Sequence, residues 1–146
     1  MSTMKDPGEK SLDTLLSTLT TKLHPTTYVF TTHASPSTLP PFSDCQMLFR
    51  ESDTEGVTAI VSKEYAEAHS IEYFFPCKMI TLNVTSSLEA VGFMAVIATR
   101  LAEKAAMGVN PVSGFYHDHL FVPEGREAEA LEILGELAKE KAPGVE

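Results

Sequence analysis

The stretch KMITLNVTSSLEAVGFMAVIATRLAEKA, residues 78–105, decides the fold class. Its first seven residues are mostly apolar and rich in strand-forming types, which predicts a buried strand over residues 78–84. Apolar residues then recur at helical spacing, with the charged residues largely off that face, which predicts a long helix over residues 88–105. Gly108 stands where a glycine is expected beyond a helix end. A buried strand followed by an amphipathic helix is typical of a mixed α and β domain.

The same rules predict the remaining elements on both sides of this stretch. Towards the C-terminus they predict strands over residues 109–116 and 119–122, a tight turn at His117-Asp118, and a helix over residues 127–141. Towards the N-terminus they predict a helix over residues 11–23 that Pro25 ends, and a strand over residues 28–32. The prolines of residues 34–43 exclude a regular element there. A hairpin over residues 46–61, a short helix capped by Ser62 and a strand over residues 71–75 complete the prediction.

Two stretches of the chain resemble each other, VTAIVSKEYAEA (57–68) and HLFVPEGREAEA (119–130). Each predicts a hairpin strand followed by a helix that opens with acidic residues and alanine. The C-terminal copy has the order β-α-β-β-α, and the N-terminal copy has β-loop-β-β-α-β, with the proline-rich loop in place of a first helix. The doubling predicts an α+β fold of two ferredoxin-like halves, with antiparallel sheets and helices packed on one face.

The composition restricts the partners that we expect. The 146 residues include 11 basic and 20 acidic side chains, for a net charge of −9. An acidic chain without basic clusters disfavours nucleic acid and anionic membrane surfaces. No apolar run reaches the ~20 residues of a membrane span, and no signal-peptide pattern opens the chain. Cys45 and Cys77 lack zinc-site spacing and are expected to be small, reduced hydrophobic residues in a cytoplasmic protein.

The turn between the predicted strand and the long helix is the main candidate site. Residues 86–89, SSLE, fit a capping box with Ser86 as N-cap and Glu89 three positions later. A helix N-terminus also offers backbone N–H groups to a ligand carboxylate, and Glu89 could then hold a ligand ammonium group. Gly92, inside the predicted helix, indicates close approach by another element, or by a ligand or a partner subunit.

The triplet His117-Asp118-His119 suggests a metal site or a general base. Two histidines are too few for a stable metal site, and no motif marks a nucleophile beside them. A hairpin turn in which Asp118 bonds the local backbone is the favoured interpretation. We therefore expect no catalytic residues, no metal and no cofactor.

The stretch KMITLNVTSSLEAVGF (78–93), followed by YHDHLFVP (116–123), resembles a family of small tandem ACT-domain proteins, over roughly residues 28–138. ACT domains are βαββαβ regulatory modules that bind amino acids or similar ligands, usually at an interface between two units. The residue patterns predict a tail and helix at residues 1–24, and the resemblance implies a degenerate ACT-like half at 25–76 and a second ACT-like half at 77–146. That second half departs from the pattern, because no fourth strand follows its last helix.

The turn and the resemblance together predict a ligand site, and three functions stay open. The expected ligand-binding residues are Thr85, Ser86, Ser87, Leu88, Glu89, Val91, Gly92, Asn110, Pro111 and His117. The first function is a regulatory module that binds a small molecule, for which we expect an amino acid. The second is an interaction or oligomerisation module without ligand, and the third is an enzyme that uses the histidine turn. Exposed sheet edges favour a homodimer under all three.

Overall fold

The computed structural model describes residues 4–143, which form two compact units. Unit 1 joins the chain up to His24 with the chain from Met79 onward, and unit 2 is Pro25–Lys78. The elements in chain order are α1 Leu12–Ser17, β1 Thr21–His33, β2 Cys45–Ser52, β3 Gly56–Ser62, α2 Lys63–Ala68, β4 Phe74–Leu82, α3 Phe93–Ala105, β5 Asn110–Ser113, β6 Asp118–Pro123 and α4 Glu127–Lys141. Strands β1 and β4 each contribute residues to both units.

Unit 1 has the strand order β1-β4-β6-β5, with β5 and β6 antiparallel. Its first strand segment, Thr21–His24 of β1, lies beside β4 at one end of this strand order. The Asn83 amide donates to the Thr20 carbonyl at 2.8 Å, which fixes this segment beside the end of β4. The fourth strand of this half therefore comes from the N-terminal part of the chain.

The core of unit 1 lies between its sheet and its helices. Successive strand residues point to opposite faces, so Ile80 and Leu82 face the core while Thr81 faces away. The almost fully buried side chains of this core are Leu15, Ile80, Leu82, Ile97, Leu101, Leu120, Val122, Leu134 and Leu137. Burial of one such side chain contributes about 1.5–3 kcal/mol, so this cluster dominates the stability of the unit.

Unit 2 has the strand order β2-β3-β1-β4. Strand β3 is antiparallel to β1, with Tyr28 opposite Ser62, and antiparallel to β2. Between β1 and β2 the chain forms two 3-10 turns, Pro36–Thr38 and Phe42–Asp44. Its core is the cluster Val29, Ala59, Val61 and Ala66. The unit thus has the predicted order β-loop-β-β-α-β.

The fold class is confirmed: the protein is α+β, with antiparallel strands, helices on one face and a ferredoxin-like strand order. Several elements lie where the sequence predicts them. Helix α4 has the predicted bounds, Glu127–Lys141. Ser62 caps α2 and accepts from the Tyr65 amide at 3.0 Å.

Helix α1 is shorter than predicted. It ends at Ser17, and the chain is extended from Thr21 through Pro25 to His33. The leucine spacing continues to Leu23, but the intervening β-branched threonines favour extended backbone. Leu15 and Leu16 are buried, whereas Leu23 is exposed on β1.

Two other predictions of strand bounds are wrong. Strand β4 runs through Pro76 without a break, and residues 71–73 lie outside it. Phe75 has a φ of 60°, so the backbone is irregular beside Pro76, and proline is tolerated at such irregular positions. Strand β5 ends at Ser113, because the turn after it is closed by a bond from the Gly114 amide to the His117 carbonyl at 2.9 Å.

Among the described residues, no helix has the length and apolar character needed to cross a membrane.

Candidate functional site

The turn before α3 is held by the N-terminal segment of the chain. Residues 6–10, here called the strap, run beside residues 85–87. The Glu9 amide donates to the Thr85 carbonyl at 2.7 Å, and the Ser87 amide donates to the Glu9 carbonyl at 2.9 Å. Gly8 lies so close that a Cβ atom built on it would stand 2.2 Å from the Ser87 nitrogen. Only glycine fits at this position of the strap.

The predicted capping box is not formed. Helix α3 begins at Phe93, five residues later than predicted, with Gly92 as its N-cap. Ser86 Oγ donates instead to the Asp118 carboxylate at 2.9 Å, and Ser87 Oγ accepts from the Glu89 amide at 3.0 Å. Serine side chains that bond nearby groups in this way compete with the first turn of a helix.

Gly92 is required for its backbone conformation and not for close packing. Its φ is 90°, a left-handed conformation that only glycine adopts at low cost. A Cβ atom there would meet only Leu12 Cδ2, at 3.6 Å, which is an ordinary contact. The expectation that another element of the chain approaches Gly92 closely is therefore wrong.

The strap places a carboxylate and an ammonium group on the turn. Ser87, which is 4% exposed, donates a hydrogen bond to the Asp6 carboxylate. That bond, together with one from the Gly8 amide, lowers the pKa of Asp6. Lys10 Nζ lies 3.0 Å from a Glu89 carboxylate oxygen, and this contact raises the pKa of Lys10. The Lys10–Glu89 pair is solvent-exposed and therefore weak. Of the two side-chain contacts between the strap and the turn, the Asp6–Ser87 hydrogen bond is therefore the stronger.

A small cavity of about 130 Å³ adjoins the turn. Its lining residues are Ser86, Ser87, Leu88, Ala90, Phe93, Met94, Ser113, Gly114 and Asp118. Pockets for drug-sized ligands usually exceed about 300 Å³, so this cavity would hold only a very small ligand or one group of a larger one. The sequence did not indicate that Asp118 would be buried here, nor that Asp6 would reach the turn from 81 residues away.

The predicted site residues are only partly brought together. Ser86, Ser87 and Leu88 line the cavity, and Thr85 and Glu89 bind the strap through a carbonyl and a carboxylate. Val91 is 84% exposed, next to the N-cap Gly92. The predicted site residues that do not line this cavity are Thr85, Glu89, Val91, Gly92, Asn110, Pro111 and His117. Asn110 and Pro111 are exposed on β5, whose Ser113 supplies part of the wall.

Two histidines of unit 1 are joined through Thr81. His24 Nε2 lies 2.7 Å from Thr81 Oγ1, which lies 2.9 Å from His119 Nδ1. Burial lowers the pKa of His24, with Lys22 adding to the effect. Burial also lowers the pKa of His119, with the neighbouring His117 and His24 adding to it.

The histidine triplet does not assemble into a catalytic pair or a metal site. Asp118 and His119 are consecutive residues of β6, so their side chains point to opposite faces of the sheet. Asp118 accepts from Ser86, which corrects the prediction that it bonds the local turn backbone. Within residues 4–143, no group of three histidine, cysteine or acidic side chains is placed to hold a metal ion.

Comparisons with known proteins identify the family. A model described as an ACT domain matches residues 7–78, which include most of the strap and all of unit 2. No curated protein matches the chain in sequence. ACT domains are, as a class, regulatory modules.

Solved structures that are similar to this chain include the following two proteins. One is a Vibrio cholerae protein of unknown function, described as a possible transport protein, at 37% identity and a TM-score of 0.73. The similarity covers 88% of this chain and 97% of that one. An Agrobacterium tumefaciens protein shares the fold at 17% identity and a TM-score of 0.60, over 82% of this chain and 89% of that one. The family match and the ferredoxin-like strand order agree, and the chain belongs to the ACT-domain-containing proteins.

Proposed function

We propose that this protein is a regulatory module that binds a free amino acid at the turn of residues 85–92. The ligand carboxylate would replace Asp6 on Ser87, and the ligand ammonium would replace Lys10 on Glu89. The observation that carries the proposal is the strap itself. It already sets one carboxylate and one ammonium on this turn, the two charged groups that every free amino acid carries.

The chemistry of the turn supports this ligand class. A buried hydroxyl donor such as Ser87 forms a strong, charge-assisted hydrogen bond to a carboxylate. Leu88 and Val91 are large apolar side chains that are exposed beside the turn, and Phe93 and Met94 line its cavity. Covering such side chains is favourable, so we expect apolar amino acids to bind most tightly.

We expect the regulation to come from competition between the ligand and the strap for Ser87 and Glu89. A ligand on Ser87 and Glu89 would remove both side-chain contacts of the strap and weaken its attachment to the turn, and residues 6–10 lead directly into α1. Helix α1 packs on α3 and α4 through Leu15 and Leu16. Ligand binding would therefore change the order of the N-terminal segment, and a partner that senses this segment would respond.

We also propose a cytoplasmic homodimer. Strands β5 in unit 1 and β2 in unit 2 lie at the ends of their strand orders, and an exposed edge strand invites pairing with another chain. Light scattering of the full chain tests this assembly, and a monomeric mass across the concentration range would contradict it.

The ligand proposal is tested by thermal shift with each of the twenty amino acids. A ligand that binds only the folded state raises the melting temperature by mass action. Asp6→Ala removes the competing carboxylate and should tighten binding, whereas Ser87→Ala should abolish it. Asp53→Ala, an exposed acid in the β2–β3 turn, is the matched control and should behave like the wild type. If no amino acid at millimolar concentration shifts either the wild type or Asp6→Ala, the proposal fails.

A further inference from the structure

We propose that unit 2 carries a second ligand site, independent of the Ser87 turn, which takes a small aromatic amine without an acid group. The site is a cleft of about 880 Å³. This volume falls within the range of small-molecule pockets, about 300–1,000 Å³.

The cleft exists because unit 2, whose residues 25–78 are all described, has no α-helix between its first two strands. Pro36, Pro40 and Pro41 prevent a helix there, and the chain forms only two 3-10 turns. On β1, Val29 packs with Ala66 of α2, so the alternate residues 31 and 33 share the face that carries α2. Helix α2 packs on this face, and the proline-rich loop forms one wall of an open cleft over residues 31 and 33.

Part of the cleft lining is aromatic and apolar. Tyr65 and His69, one helical turn apart at the end of α2, stack with ring centroids 4.0 Å apart and planes at 22°. Leu39, Pro40 and Ile71 also line the cleft. A flat ring bound against such a surface gains both apolar burial and stacking.

Thr31 and His33 form the floor of the cleft, and their hydrogen bonds have a defined direction. Thr31 Oγ1 donates to the Ala59 carbonyl at 2.9 Å, and it lies 2.9 Å from His33 Nε2. A hydroxyl has one proton, so Thr31 must accept from His33, and Nε2 carries the imidazole proton. In the neutral ring Nδ1 is then an acceptor. Thr31 and His33 are 5% and 6% exposed, so both are built into the floor.

The charged residues of the cleft lining favour a cationic ligand over an anionic one. Among the described residues that line the cleft, Glu72 is the one acidic side chain, and none is a lysine or arginine. A ligand carboxylate or phosphate would find no counter-ion in this lining. An ammonium group could pair with Glu72 and lie over an aromatic face.

Three probes that share one ring system test the proposal on the full chain. Tryptamine carries an ammonium, indole is uncharged, and indole-3-acetate carries a carboxylate. Calorimetry and amide chemical shifts should show the affinity order tryptamine, indole, indole-3-acetate, with the shifts centred on Thr31, His33 and Tyr65. An order led by indole-3-acetate, or an absence of binding by all three at millimolar concentration, would overturn the proposal.

Variants of the lining test whether the probes occupy this cleft. Glu72→Gln should weaken tryptamine binding about three- to tenfold and leave indole unchanged. Glu64→Gln, an exposed acid on α2 outside the cleft, is the matched control and should change neither affinity. Thr38→Trp, which fills the cleft from the loop, should abolish binding of both probes. If Glu72→Gln and Thr38→Trp both bind tryptamine with the affinity of the wild type, the proposed site is wrong.

The two variants of the Ser87 turn distinguish a failure of this proposal from a failure of the amino-acid proposal. Ser87→Ala and Asp6→Ala alter only unit 1 and should leave tryptamine binding unchanged. A loss of tryptamine binding in folded Ser87→Ala would show that the aromatic amine uses the Ser87 turn, and it would overturn a separate site in unit 2.

Discussion

The hydroxyl of Ser87 donates a hydrogen bond to the carboxylate of Asp6, which lies 81 residues earlier in the chain. Around this bond the backbone of the strap pairs with the turn before α3 through the Thr85 carbonyl and the Ser87 amide. The turn that the sequence indicates as a ligand site is thus bound by the protein's own N-terminal segment.

Gly8→Ala should detach the strap from this turn. The new Cβ atom would stand 2.2 Å from the Ser87 backbone nitrogen, and backbone atoms cannot move aside cheaply. Hydrogen exchange should therefore become faster at the Ser87 amide, which in the native protein donates to Glu9. Gly108→Ala is the matched control, since nothing lies within 4 Å of its Cβ position. Unchanged protection of Ser87 in Gly8→Ala would contradict the packing described.

Gly92→Ala should destabilise the protein by about 1–2 kcal/mol, because an alanine at φ of 90° takes up an unfavourable left-handed conformation. Gly135→Ala should have the opposite effect, a gain of about 1 kcal/mol, because Gly135 lies inside α4 with open space around its Cβ position. Urea unfolding measures both changes. Equal effects of the two substitutions would show that Gly92 has no special backbone role.

The paired histidines should make stability depend on pH. Burial lowers the pKa of His24 and of His119, so the unfolded chain binds protons more readily than the folded one. The free energy of unfolding should therefore decrease as pH falls below the ordinary histidine value of about 6.5, and it should be unaffected by these groups well above that value. NMR titration of the imidazole signals checks the shifts directly.

The variant His119→Gln tests how much this histidine contributes to the pH dependence of the free energy of unfolding. His119→Gln removes one of the two groups, so it should reduce the loss of stability between neutral and mildly acidic pH. An unchanged pH dependence in this variant, or imidazole midpoints above the ordinary value, would contradict the burial of these rings.

Arg100 of α3 binds both carboxylate oxygens of Glu140 on α4, at 2.7 and 3.1 Å. Arg100→Gln should lower Tm by at most about 4 °C, because the pair is partly exposed to solvent. The loss should shrink in 1 M salt, which screens exposed charges. Lys139→Gln on α4 controls for the loss of a positive charge, and its effect on Tm should be smaller. A salt-independent loss for Arg100→Gln would indicate that packing, and not charge, is responsible.

Local patterns in the sequence determined much of the fold. The helical spacing of Ala130, Leu134 and Leu137 predicts α4 with its observed bounds, because an amphipathic face with no competing signal leaves one solution. The Ser62 cap of α2 and the proline-rich loop of residues 34–43 also follow from local chemistry. Each of these features depends on residues that are neighbours in the chain, so the sequence was sufficient to predict it.

The start of α3 depended on contacts that local patterns do not contain. Residues 86–89 fit a capping box, yet Ser86 is bonded to Asp118 and Ser87 to Asp6, both remote in sequence. Those bonds compete with the cap, and the left-handed Gly92 allows the helix to begin later. The pattern of the candidate turn was thus visible in the sequence, but its geometry was not.

The sequence by itself determined the α+β class and the approximate position of the candidate turn, because hydrophobic periodicity and turn chemistry act over a few residues. Three features could be seen only in the folded chain: Thr21–His24 lies at one end of the strand order of unit 1, residues 6–10 bind the turn, and a cleft opens over Thr31 and His33. Each of these depends on segments far apart in the chain, and their pairing is selected by the free energy of the whole fold and not by local preference.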